Sequence, residues 1–239
     1  MINKLKISKR LETVASYLPK GAFFADIGSD HAYLPCYTCM RDSTANAIAG
    51  EVNEGPYNSA LETVTSYQLL NAIEVRLGNG LHVLKEDEIE QLVIAGMGGS
   101  LITSILEDGK RKLNTVTRII AQPNVDARTV RNWLVEQNFY ISNEDIIEEN
   151  GHIYEIIVAD KKMNNVKIDL TDKQLLFGPV LLKKRTKVFY LKWQHEYDKL
   201  YRVVEQMKQA TKPNKDKIQQ FETELKWMKE VLIDETDHS

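Results

Sequence analysis

The run Ala25-Asp26-Ile27-Gly28-Ser29-Asp30-His31 sets two carboxylates, a hydroxyl and an imidazole around one glycine. Gly28 lets the backbone approach a ligand closely. Asp26, Ser29 and Asp30 supply polar groups for the ammonium and carboxylate of an amino-acid moiety. Glu51, in Gly50-Glu51-Val52-Asn53, follows Asp26 by 25 positions. An acid there can accept both hydroxyls of a ribose. The amide of Gly78-Asn79-Gly80 can meet an adenine edge, and Ala95-Gly96-Met97-Gly98-Gly99 reads as a flexible loop beside it. Amino acid, ribose and adenine together describe S-adenosylmethionine (SAM). Each motif also has a plain structural reading: a β–α turn capped by Ser29 or Asp30, a solvated strand end, a tight Asn-Gly turn. Their recurrence at successive strand ends favours the ligand. The first loop lacks the spaced glycines of G-x-G-x-x-G, and Asp30 would set a negative charge where a pyrophosphate sits.

The elements that must position these residues alternate. Apolar runs at 22–27, 45–51, 73–77, 91–95 and 118–122 predict strands. Helical stretches at 31–41, 56–67, 101–113 and 126–137 separate them. Such alternation implies a parallel sheet covered on both faces. Segments 139–149 and 153–159 flank Asn150-Gly151 and predict an antiparallel hairpin at the sheet edge. The expected fold is α/β, a Rossmann-like class I methyltransferase sheet, mostly parallel with that edge hairpin. Leu5, Leu11, Val14, Ala15 and Leu18 have helical spacing and predict a helix over 3–18, stopped by Pro19 and Gly21.

Residues 161–170 are polar and read as a linker, and 171–179 as a short connecting piece. Phe189, Trp193, Tyr197, Leu200, Val204 and Met207 form one apolar stripe; Ile218, Phe221, Leu225, Met228 and Leu232 form a second. Joined across Lys212-Pro213-Asn214, they predict a C-terminal antiparallel α-helical hairpin, a coiled coil, with Phe189 and Trp193 in its core. The expected division is therefore 1–160 for the SAM-binding methyltransferase domain, 161–170 for the linker and 171–239 for the helical domain.

Charge follows the same division. Residues 1–160 carry 14 Lys+Arg against 22 Asp+Glu, and residues 161–239 carry 17 against 12. The overall net charge of −3 does not mark a basic nucleic-acid binder, but local patches decide binding. The basic run Lys183-Lys184-Arg185-Thr186-Lys187 can grip RNA phosphates or lie as a solvated helix face; Arg10 has the same option. Two cysteines make no disulfide framework, and no segment reads as a signal peptide or a membrane span, so a cytoplasmic protein is expected. Cys36 and Cys39 have C-x-x-C spacing without a second pair, and His82, His152, His195 and His238 show no ligand grouping. Buried apolar cysteines and no metal are expected.

The runs Ala25–Pro35, Ala49–Val52 with Gly55-Pro56, Arg76–Leu81, Ile94–Gly99 and Gln122-Pro123-Asn124 resemble the bacterial tRNA adenine-22 N1-methyltransferase family. So do Glu148-Glu149 and Tyr154-Glu155-Ile156. The resemblance is close over about residues 3–160 and extends to the helical tail by architecture. It implies SAM as cofactor, tRNA as partner and methylation of N1 of adenine 22. The cofactor set it suggests is Asp26, Gly28, Ser29, Asp30, His31, Leu34, Glu51, Val52, Asn53, Gly78, Asn79, Gly80, Gly96, Met97, Gly98 and Gly99.

N1 of neutral adenine carries a free in-plane lone pair, so attack needs no strong base. Positioning and electrostatics carry the work. Gln122 and Asn124 are candidates to accept the N6 hydrogens, with Asp30 as a nearby anion; a polar turn after a strand is the alternative for that run. His31 more naturally lines the methionine end of SAM than serves as a base. Tyr33, Tyr57 or Met97 can stack on an exposed base, which costs a few kcal/mol to flip. Arg10, Tyr33, Tyr57, Lys183, Lys184, Arg185 and Lys187 are the candidate RNA contacts. Two other readings are a methyltransferase acting on another base or a small molecule, and an RNA-binding adaptor with a degenerate nucleotide fold. Intact Asp26, Gly28 and Glu51 argue against the latter. The sequence leaves a monomer and a weak homodimer equally open.

Overall fold

A computed structural model describes residues 5–162 and 169–236, with side chains through residue 233. The described residues up to Val180 form one unit and those from Leu181 onward a second. Six of the ten residues expected as linker lie outside the described residues.

The apolar runs of the first unit become strands β1 (Phe23–Ile27), β2 (Asn46–Glu51), β3 (Ile73–Leu77), β4 (Gln91–Gly98) and β5 (Arg118–Val125). The hairpin is β6 (Phe139–Glu149) and β7 (His152–Lys161). They form one sheet in the order β3-β2-β1-β4-β5-β7-β6. Neighbours among β1–β5 pair in parallel, while β7 runs antiparallel to β5 and β6 antiparallel to β7. The order reverses between β1 and β4, and ligands of open α/β sheets bind outside the strand carboxyl ends at that point.

Helices α1 (Lys9–Ser16), α2 (Tyr33–Arg41), α3 (Glu54–Ser66), α4 (Gly99–Asp108) and α5 (Ala127–Glu136) cover the sheet, and α6 (Asp172–Phe177) packs on α5. Alternate strand residues serve two cores, as the twofold strand period requires. Ala25, Ile27, Leu92, Ile94, Ile119 and Ala121 point to the α4–α5 side. Phe24, Val93, Ile120, Ile156 and Val158 point to the opposite side.

Several boundaries differ from expectation. Helix α1 starts at Lys9 because Ser8 caps it, accepting from the Leu11 N–H at 3.2 Å. Helix α2 starts at Tyr33 rather than His31, since Asp30, His31 and Ala32 all have positive φ. The helix expected over 101–113 breaks at Gly109, which packs on Leu81. Residues 95–98 continue β4 instead of forming a loop, with a register shift around Gly96. Pro123, which has no N–H to give, lies opposite that shift within β5. The connecting piece after the linker holds a helix, α6, opened by a capping box of Thr171 and Gln174.

The edge hairpin is a dock with two sides. On one, Asp145 accepts from the Tyr17 hydroxyl, and Glu149 accepts from the Lys9 N–H at 2.6 Å. A carboxylate at a helix N-terminus is stabilising. On the other side, fully buried Arg131 of α5 donates to Glu144 at 2.6 Å and to Glu155, and its remaining N–H groups reach the Leu175 and Leu176 carbonyls of α6. Glu144 also accepts from the Val180 N–H at 2.8 Å. Gly178 has φ +87°, and a Cβ there would lie 2.6 Å from Glu144 Oε2, so only glycine closes this corner.

The second unit contains α7 (Leu181–Lys184), α8 (Lys187–Lys208) and α9 (Lys215–Thr236). Thr186 caps α8, and α8 packs on α9. Lys208 bridges to Glu222 at 3.0 Å across the pair. Phe189, Trp193, Val204, Leu225, Met228 and Val231 are buried, so Val231 takes the place expected for Leu232.

Removing Arg131 takes from two buried carboxylates the guanidinium they share. Arg131→Met should cost about 3–5 kcal/mol, read as a lower urea midpoint at unchanged m-value. With that cation gone, burial would hold the folded-state pKa values of the two carboxylates above their unfolded ones. The deficit against wild type should therefore shrink as pH falls and they take up protons. A deficit independent of pH would show that burial of these charges is not its source.

Candidate active site

Strands β1 and β2 end side by side, with Ile27 paired to Gly50. This brings Asp26 and Glu51, 25 residues apart in sequence, to one sheet edge. Asp26 is 3 % exposed and accepts from the Ser29 hydroxyl at 2.6 Å. Burial pushes its carboxyl up to about 7; the Ser29 hydrogen bond and the Arg10 cation oppose this, and Glu51 and Asp30 reinforce it. Glu51 accepts the Asp30 N–H at 2.6 Å, and burial raises its carboxyl above the usual range. That N–H pins the first loop while it turns through three consecutive left-handed residues, φ 45°, 70° and 55°.

Gly28 is glycine for two reasons. Its φ is +69°, and the Met97 methyl lies 2.2 Å from where a Cβ would stand. Met97 thus folds back onto the loop between two strand ends. His31 stacks on Tyr33 at 5.3 Å, with Tyr33 itself exposed at the start of α2. Val52 and Asn53 are exposed after β2, and Tyr57 follows in the first turn of α3. The Gly78 N–H donates to the Glu51 carbonyl at 2.7 Å, holding the third loop against the second strand end. Asn79 is exposed there and caps nothing with its side chain, and Gly80 packs on Ile105.

Beyond β4 lies a second cluster. Gln122 is 0 % exposed; its Oε1 accepts from Arg10 Nη1 at 2.5 Å and the Gly96 N–H at 3.1 Å. Its Nε2 donates to Asn124 Oδ1 at 3.1 Å, and Asn124 Nδ2 donates to the Gly96 carbonyl at 2.8 Å. The Arg10 guanidinium also lies 5.3 Å from the centre of the Tyr154 ring.

Three expectations need correction. Gln122 does not present its amide to a substrate, because a buried strand residue must satisfy its amide internally. Leu34 is 1 % exposed in the core, so its side chain does not line a pocket; an apolar residue in a first helical turn has the same pattern in either role. Arg10 reads from sequence as a surface cation, yet it is half-buried against Gln122 and Tyr154. Glu149, which anchors the start of α1, was not among the expected residues; its only sequence signal is its place in the Glu148-Glu149 motif.

Lys183, Lys184 and Lys187 are exposed in the second unit, and Arg185 is half-buried, its Nε donating to the Leu182 carbonyl. Cys36 and Cys39 are buried, and burial pushes both thiols up to about 12. Among the described residues no group of three or more His, Cys, Asp or Glu could hold a metal, and no helix is long and apolar enough to cross a membrane.

These residues fit SAM. Buried carboxylates at neighbouring strand ends suit an ammonium and ribose hydroxyls. The start of α2 has no side-chain cap, which leaves backbone N–H groups for a carboxylate. Strand order and site together define a class I, Rossmann-like methyltransferase domain. The family described as tRNA (adenine(22)-N(1))-methyltransferase matches residues 24–230. A Bacillus subtilis protein of that description is 43% identical over 235 residues, 97% of this chain and 99% of its own. A crystal structure of a putative tRNA (m1A22) methyltransferase from Streptococcus pneumoniae, in complex with S-adenosyl-L-methionine, is 42% identical with a TM-score of 0.85, covering 95% of this chain and 100% of that one. The M. capricolum protein TrmK, solved with S-adenosyl-homocysteine, is 28% identical with a TM-score of 0.81, over 95% and 97% of the two chains. The chain belongs to the tRNA (adenine(22)-N(1))-methyltransferase family.

Asp26 also makes the site a source of instability. A carboxyl raised in the folded state stabilises most below its unfolded value and loses that contribution as pH rises through about 7. Without cofactor, the melting temperature of Asp26→Asn should exceed wild type increasingly as pH rises from about 5 to about 8. Saturating SAM should raise the wild-type value more at the upper pH and the variant little at either. Parallel melting curves for the two proteins across pH would overturn this assignment.

Proposed function

We propose that the cleft at the carboxyl ends of β1, β2 and β4 is where this enzyme carries out its reaction, the SAM-dependent methylation of N1 of adenine 22 in tRNA. The observation that carries this reading is the meeting of Asp26 and Glu51 at adjacent strand ends. SAM supplies a methyl group on a sulfonium; the N1 lone pair takes the methyl while the C–S electron pair stays on sulfur, and the positive charge moves to the adenine ring.

This chain's residues hold the two reactants in line. Asp26 accepts the ammonium, Glu51 the ribose hydroxyls, and the amide of Asn79 meets the adenine edge of the cofactor. His31, Ser29 and the first turn of α2 enclose the amino-acid end. The Gly96–Gly99 segment forms the floor between cofactor and acceptor. No side chain has to remove a proton before attack, so orientation dominates the rate. Lys183, Lys184, Arg185 and Lys187 offer cations to tRNA phosphates. We place the activity in the cytoplasm, where its substrate is made, and every residue named belongs to one chain.

Methyl transfer from radiolabelled SAM to a tRNA transcript, followed by mapping of the modified base, tests the reading. Adenine 22 should carry the label at N1. An A22G transcript, whose N1 bears a hydrogen, should carry none, and Asp26→Ala should abolish transfer. Label on any other nucleotide would reject the assignment. Replacing Lys183, Lys184 and Lys187 with alanine should lower the slope of log affinity against log salt for tRNA by about 2–3, with SAM affinity unchanged. An unaltered slope would remove these lysines from the interface.

A further inference from the structure

Asn124 carries the exposed side chain of the Gln122 cluster, where Gln122 is buried and Arg10 half-buried. Its amide is nonetheless not free to turn over. Gln122 Oε1 receives two N–H donors, from Arg10 and Gly96, so only its nitrogen is left to face Asn124. A donor there requires an acceptor opposite, which sets Asn124 Oδ1 toward Gln122 and Nδ2 toward the Gly96 carbonyl. A carbonyl oxygen has two lone pairs, so Oδ1 keeps one for an incoming donor. Reversing the Asn124 amide would set N–H against N–H and oxygen against oxygen, at a cost of two hydrogen bonds.

Taking the acceptor to be adenine, as proposed above, the chemistry of the base then matters. Transfer of the methyl to N1 makes the ring cationic and its N6 hydrogens stronger donors. A fixed oxygen beside N6 therefore binds the transition state better than the ground state. A fixed N–H at the same place would clash with the amino group, and one directed at N1 would occupy the lone pair that must react.

We propose that Asn124 is a catalytic residue whose oxygen accepts from the N6 amino group of the target adenine. Arg10 and Gln122 are then positioning residues that set its amide the right way round. Arg10 acts from α1, through a buried neutral side chain, on a group it does not touch.

The test compares two tRNAs, one with adenine at position 22 and one with purine, which keeps N1 but lacks the amino group. Wild type should methylate the adenine substrate about tenfold or more faster at saturating SAM. That ratio combines the intrinsic difference between the bases with the gain from a single strengthened hydrogen bond. Asn124→Ala, at an exposed position, should reduce the ratio toward the intrinsic value. Arg10→Ala should reduce it equally, and adding Arg10→Ala to Asn124→Ala should change it no further. The tRNA affinity and salt slope of Arg10→Ala, measured by direct binding, should match wild type. Retention of the full adenine preference in Arg10→Ala would overturn the proposal. So would an effect confined to tRNA affinity and its salt slope, which would make Arg10 a phosphate contact. If wild type failed to label adenine 22 at all, the functional reading would fall first, a result distinct from either.

Discussion

A buried carboxamide has two donors and two acceptor sites to satisfy, and inside a sheet it cannot borrow water for them. Gln122 fills both acceptor sites and one donor by tying three separate elements together: α1 through Arg10, the irregular end of β4 through Gly96, and its own strand through Asn124. The register shift at Gly96 frees the N–H that Gln122 takes, and Pro123 opposite makes no demand on the ladder. The site is thereby built around a group that itself does no chemistry. Its neutrality matters as well. A carboxylate at this position would accept from Arg10 and Gly96 but could not donate to Asn124, and the order of donors along the cluster would be lost.

The cofactor side is built the opposite way, from charges that the fold disfavours. Asp26 and Glu51 are buried near one another and near Asp30, and burial raises both carboxyls. Ser29 and the Asp30 N–H offset part of the cost, as does Arg10 from across the strand ends. A cationic ligand would remove what remains. Such an arrangement, strained electrostatically in the free protein, suits an ammonium and is the usual exchange of stability for function at a site.

Much of this was legible in the residues. The apolar runs, their alternation with helical stretches and the Asn150-Gly151 turn specify the sheet and its edge hairpin, and the strand-end acids mark the cleft proposed for the cofactor. What could not be read is where a side chain turns once its strand is paired. Gln122-Pro123-Asn124 looks like a polar turn because its polarity is satisfied by partners 26 and 112 residues away, which no local pattern encodes. Residues 31 and 32 read as helix because their side chains permit it, while the Glu51 contact to Asp30 holds residues 30–32 left-handed. Arg10 reads as a solvated cation because the hairpin that receives α1 lies more than a hundred residues downstream. Helix α6 is too short to show a periodicity, and only its capping box announces it.

The hairpin explains how a cation near the N-terminus can be placed accurately at the far side of the sheet's reversal point. Successive residues of a strand face opposite ways, so β7 presents Tyr154 to α1 and Glu155 to α5. On the α5 side, buried Arg131 holds the hairpin through two buried carboxylates and reaches the half-buried carbonyls of α6. On the α1 side, the same two strands offer Asp145 to Tyr17, Glu149 to the first turn of α1, and the Tyr154 ring to Arg10. An edge pair is otherwise the least constrained region of a sheet. Here a costly buried ion cluster on one face gives it the rigidity that the docking of α1 on the other face requires. The antiparallel end of this sheet therefore belongs to the site's construction, although none of its residues lies at the strand ends where the cofactor acids meet.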